Sequence, residues 1–199
     1  MQMNDGRLQS PILWKVLCAF FIGSVLSSLI FAWCVSRPSL QSFWFRTEEF
    51  WIFPTRKLWL LAAGLFFLNL AGSYLIAHVN KWLSFSGYRL IIGVTLVALV
   101  PVMVWSIEPL PALAQLLLFK FALALILSVA LSVITRRWYS SLAIAMLIVS
   151  LTASLIAGVP YVFISSVRTE WFEVSKFFAN SSLLSLLSGY WLAKSSARA

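Results

Sequence analysis

Six apolar stretches separated by short polar breaks divide the chain, at residues 11–36, 58–79, 90–107, 112–135, 141–167 and 177–193. A hydrocarbon core of ~30 Å is crossed by about 17–25 helical residues, so each stretch is predicted to be a transmembrane helix. Their length and their Leu and Ala content favour helix over strand. The expected fold is therefore all-α: a polytopic bundle of about six spanning helices forming one integral membrane domain over residues 1–199.

The run 112–135 sets the terms for the rest, because it carries Lys120 well inside it. Its fourteen Leu, Ile, Val and Phe residues each favour the bilayer centre by ~0.3–0.6 kcal/mol, against roughly 2.5–3.5 kcal/mol for a central Lys. The sum favours insertion, and the Lys goes with the segment.

The breaks are informative too. Residues 39–53 place Leu40, Phe43, Trp44, Thr47 and Trp51 on one helical face and Gln41, Arg46, Glu48 and Glu49 on the other. That pattern predicts a short interfacial amphipathic helix lying at headgroup level. Residues 168–176, with Trp171 and Phe172, predict a second, shorter element on the same side. Glu108-Pro109-Leu110-Pro111 reads as a tight turn, and Pro101 and Gly158-Val159-Pro160 as bends within the third and fifth spans.

Composition agrees with lipid as the solvent. The chain is 61% hydrophobic and 11% charged, where a soluble domain carries about 25% charged residues. Its net charge of +9 is spread singly or in pairs at the edges of apolar runs, where cations meet lipid phosphates. No basic block or groove-reading motif is present, which argues against nucleic acid as a partner.

Cys18 and Cys34 fall on one predicted helix, ~24 Å apart along its axis, and cannot pair with each other. The first apolar run is longer than the ~7–15 residues of a signal-peptide core, so it reads as a retained span. Eight Lys and Arg residues flank the spans on the side of the termini and six on the other. The excess predicts a multi-pass protein of the plasma (inner) membrane with both termini cytoplasmic.

Helices in lipid need small residues to approach closely. Gly23 and Ser27 on the first run, Ser150, Ser154 and Gly158 on the fifth, and Ser181, Ser185 and Gly189 on the sixth are the expected packing seams. Lys120, ~12 Å into its helix, either snorkels to the nearer surface or faces the bundle interior. Asn69 is expected at a similar depth as its hydrogen-bond partner. Gln115, Tyr161 and Asn180 fall in the same half and suggest a polar cavity open to that side.

His78 is the only histidine and Asp5 the only aspartate, so a bis-histidine haem and an intramembrane aspartyl pair are excluded within this chain. No catalytic set, metal-ligand cluster or cofactor motif is recognised. Three function classes follow. The one that the small size, few interior charges and lack of a catalytic set favour is a non-catalytic membrane subunit or scaffold packing in the bilayer against other membrane proteins or itself. Another is a small transporter or channel with a polar site at Lys120 and Asn69, and the third is a lipid-headgroup enzyme using Glu108, Glu170 or Glu173. In each case the chain should sediment with membranes, stay there through alkaline carbonate washing and be released by detergent. Recovery of folded chain in the carbonate supernatant contradicts the assignment.

Overall fold

A chain in hydrocarbon must satisfy its own backbone donors and acceptors, and a helix does so within a single segment. The computed structural model describes residues 10–48, 51–54, 56–98, 112–137, 140–163 and 169–196. The long helices are α1 (Ser10–Val35), α3 (Arg56–Val79), α5 (Ala112–Thr135), α6 (Ser140–Phe163) and α7 (Thr169–Ser196), with the shorter α4 (Gly87–Val97) between α3 and α5. A 3-10 turn (Pro38–Leu40), the one-turn helix α2 (Gln41–Trp44) and two short strands, β1 (Phe45–Glu48) and β2 (Trp51–Pro54), join α1 to α3.

The fold is predominantly helical. Three segments among the described residues, Pro11–Val35, Lys57–Val79 and Leu118–Thr135, are long and apolar enough to cross a membrane, rather than the six expected. Helix α4 is described only to Val97, so the rest of the predicted third span, with Pro101, lies outside the described residues. In α6 the apolar stretch among the residues with described side chains is Ser141–Ala153. Helix α7 misses for a different reason: it carries serines and Asn180 where the other helices carry Leu and Val. It is also longer than predicted, beginning at Thr169 and absorbing most of the separate element expected at 168–176.

The interfacial helix expected at 39–53 is not what forms. Helix ends at Trp44, and the chain turns into an antiparallel hairpin with Phe45 opposite Pro54 and Glu48 opposite Trp51. Aromatic and β-branched residues crowd this stretch, and Pro54 disfavours helix in the residue before it. Trp44 is buried, its Nε1 donating to the Cys34 carbonyl at 3.0 Å, which ties the connection to the end of α1. Of the cysteines, Cys18 is exposed and Cys34 half-buried, and both are free.

The helices form a ring in the order α3, α1, α7, α6, α5, α4, with α4 also touching α3. Helix α7 is its hub, packing along α1 and α6 and also reaching α5 and α3. Phe31 stacks on Phe177 at 4.6 Å at one end of the α1–α7 seam, and Phe20 meets Tyr74 edge-on at 5.2 Å near the other. Helix α3 ends with Lys81 in the left-handed region (φ 57°), Lys81 N–H bonded to His78 O and Trp82 N–H to Ala77 O. That pairing is a Schellman closure, here without the usual glycine. His78 thus sits half-buried in the last turn of α3.

Close approach has identifiable sites. A Cβ on Gly23 would collide with Asn69 Oδ1 and lie 2.8 Å from Ser73 Oγ. One on Gly93 would lie 2.5 Å from the Ile134 side chain and 3.1 Å from the Ala130 carbonyl, and one on Gly189 would lie 3.1 Å from Phe20. By contrast, nothing stands within 4 Å of a Cβ on Gly64. Gly23→Ala and Gly93→Ala should each lower stability by about 1–3 kcal/mol through overpacking. Gly64→Ala should be neutral or stabilising by up to ~1 kcal/mol. Unfolding in mixed micelles checks all three, and equal effects at Gly64 and Gly93 contradict the packing described.

Candidate functional site

The polar residues of the bundle fall into two groups on either side of α7. Successive helical residues are rotated by ~100°, so Asn180 and Ser181, adjacent in sequence, address different neighbours. Asn180 turns toward α5 and α6; Ser181 turns toward α1 and α3.

In the first group Lys120 faces the interior and is only 5% exposed. Its Nζ donates to Asn180 Oδ1 at 2.6 Å and, more weakly, to the Ser150 carbonyl at 3.4 Å. Asn180 is held in place by its own helix, Nδ2 donating to the Lys176 carbonyl at 2.8 Å. That bond fixes which end of the amide faces the amine. Ser150 Oγ also donates to Asn180 Oδ1, at 3.3 Å.

Beside this group lies a half-open cavity of 110 Å³ lined by α3, α5 and α7 with Phe31 of α1. Lys120, Asn180 and Ser181 line it, together with the ion pair Lys176–Glu173, whose Nζ and Oε1 are 2.8 Å apart. Trp59, Phe66, Phe119 and Phe177 supply much of the remaining wall, and Trp59 and Phe119 meet edge-on at 5.4 Å. The ionisable lining is thus two amines against one carboxylate.

The second group centres on Asn69, which is buried and bonds to Ser24 at 3.0 Å, Ser181 at 3.2 Å and Ser185 at 2.8 Å. Its two amide protons are shared by three hydroxyls. Asn69 Oδ1 accepts from Ser73 at 3.3 Å, and Ser24 reaches back to the Phe20 carbonyl at 2.9 Å. This network joins α1, α3 and α7.

The expected pairing of Asn69 with Lys120 is therefore replaced by Asn180 with Lys120. The cause is placement: α7 lies between the two residues and takes a hydrogen bond from each. Ser181, Ser185 and Gly189 are buried where α7 meets α1 and α3, Ser27 is buried on the α1–α3 side of α1, and Ser150 is buried where α6 bonds α7. The side chains of Gln115, Ser154 and Tyr161, and Gly158, lie outside the described residues, as does Glu170. Glu108 lies outside them altogether.

Sequence reasoning did not single out Glu173 or Lys176 as cavity residues. Their spacing, with Asn180 four residues beyond Lys176, was the available signal for one helical face. It also missed Ser73, Ser182 and Ser188, which are buried like the serines it selected. Among the described residues no three His, Cys, Asp or Glu side chains could together hold a metal.

The two groups should respond differently to truncation. Asn69→Leu removes interhelical bonds averaging ~0.6 kcal/mol each in membranes and leaves serines able to bond their own helices, a loss of about 1–2 kcal/mol. Asn180→Leu takes away the shorter of the two bonds to the amine of Lys120, a loss of about 2–3 kcal/mol. Unfolding in mixed micelles distinguishes them, and a reversed order contradicts the roles assigned here. In comparisons with known proteins, no protein-family model, no curated protein and no solved structure matches this chain.

Proposed function

We propose that this chain is a small polytopic membrane transporter or channel that binds a small anion at Lys120. The observation carrying this reading is a buried amine whose hydrogen-bond partners, Asn180 and the Ser150 carbonyl, are both neutral. An amine in a low-dielectric interior is costly unless a countercharge accompanies it. Leu would pack the same position without that penalty, and an ionisable residue inside a membrane bundle is a functional-site candidate by default, substrate paths among the roles. A bound carboxylate or phosphate would supply the countercharge, and the second amine, Lys176, stands on the same cavity wall. A cavity of 110 Å³ suits a small anion or the head of a larger one.

In this reading all six predicted stretches span. Helices α6 and α7 have 24 and 28 residues, ~36 and ~42 Å, which exceeds the hydrocarbon thickness. The serines of α7 are turned largely to neighbouring helices, so they do not oppose insertion of the assembled bundle. The excess of Lys and Arg on the side of the termini supports a cytoplasmic placement of both ends.

A second reading, a non-catalytic subunit or scaffold packing against another membrane protein, has one observation in its favour. Helix α6 exposes Ile144, Ile148, Leu151 and Leu155, an apolar ridge at the 4-3-4 spacing of helix-helix seams.

Flux of chloride, inorganic phosphate and propionate into proteoliposomes tests the proposal. At least one should enter saturably, and Lys120→Leu should cut that flux at least tenfold while the protein stays monodisperse with a melting temperature no lower than that of the native chain. No saturable flux in the native chain, or full flux in the folded variant, overturns it. A stoichiometric partner retained through mild-detergent purification, together with silent flux, assigns the chain to the second reading.

A further inference from the structure

On the outer face of the ring, away from the cavity, α1 and α3 flank a groove of 630 Å³. Its rims are exposed apolar side chains: Ile22, Leu26 and Ile30 from α1, Leu68 and Ile76 from α3. Its floor is made of small residues, among them Ala19, Gly23 and Gly72, with Asn69 and Ser73 beneath. At one end stand Trp14, Lys15 and Trp82. Trp14 and Lys15 are exposed and Trp82 is half-buried.

We infer that this groove holds one acyl chain of an anionic glycerophospholipid, whose phosphate is met by Lys15 between Trp14 and Trp82. Three features choose this occupant. The groove has a polar, cationic end and an otherwise apolar length, the same division of chemistry as a phospholipid. The charged end lies at the helix ends, where Trp and Lys sit at headgroup level. From Lys15 to Ile30 the groove runs ~22 Å along α1, longer than one leaflet of a ~30 Å core, so a single chain can lie along it at full extension.

The floor explains why the groove exists. A Cβ on Gly23 would collide with Asn69, so the Asn69 network keeps α1 and α3 close at that level with no side chain from Gly23 to fill the surface. Gly72 differs: a Cβ there meets nothing within 4 Å, so it borders open space. That makes Gly72 a place where the groove can be filled without disturbing the bundle.

The test uses the full chain in nanodiscs of equal phosphatidylglycerol and phosphatidylcholine, extracted in mild detergent. Native mass spectrometry counts the retained lipid, and light scattering gives the oligomeric state. The native chain should retain one phosphatidylglycerol in at least fivefold preference to phosphatidylcholine, and added phosphatidylglycerol should raise its melting temperature. Gly72→Phe should abolish retention and the thermal shift while melting cooperatively on its own. Lys15→Gln should keep a lipid but lose the preference for the anionic head.

Undiminished retention in folded Gly72→Phe, or equal retention of both lipids by the native chain, overturns the inference. If Gly72→Phe does not fold, Ile76→Trp at the rim replaces it with the same expected outcomes. A native dimer that either variant dissociates assigns the groove to a second copy of the chain and also overturns it. None of these outcomes depends on anion flux, so this inference and the role of Lys120 stand or fall separately.

Discussion

The bundle depends on one constraint: polar side chains withdrawn from water gain most by bonding across helices, and most of the hydrogen bonds between helices among the described residues involve α7. In lipid there is no hydrophobic drive between helices to hold them together. What joins α1, α3, α5 and α6 to α7 is close packing at small residues and a set of hydrogen bonds that α7 gives or receives. Ser181 and Ser185 bond to Asn69 of α3, the Ser181 carbonyl accepts from Ser24 of α1, and Asn180 accepts from Lys120 of α5 and Ser150 of α6. The least hydrophobic long helix is thus the one that carries most of the bonds between helices.

The same constraint separates the interior into regions with different chemistry. On the α1–α3 side the donors and acceptors are neutral amides and hydroxyls that bond one another, so that region is a structural junction. On the α5–α6 side an amine is held by neutral acceptors beside a cavity carrying a second amine and one carboxylate. The first arrangement is made of neutral groups that bond mostly one another, whereas the second sets a buried amine beside further ionisable side chains. The outer surface adds a third region, where α1 and α3 flank a long apolar groove.

Much of this was legible from residue order. The limits of the helices follow the apolar runs closely, and α5 spans the predicted 112–135 without a shift. Lys120, Asn69, Asn180 and the serines of α7 were identifiable because polar residues are rare in such runs. Two local features were misread. The stretch 39–53 has a helical pattern of faces, yet its aromatic and β-branched residues and Pro54 let a hairpin win. The stretch 168–176 is polar enough to pass for a separate element, yet no breaker divides it from the rest of α7.

The amino-acid order by itself determined that the chain is helical, apolar and suited to lipid, because length, hydropathy and backbone satisfaction are properties of each segment alone. It could not determine which polar residue meets which. Depth along a helix is readable from residue count, but azimuth and neighbour are set by the packing of several helices together. Only the tertiary structure put α7 between Asn69 and Lys120, gave each a different partner, and turned the amine of Lys120 inward instead of toward the surface.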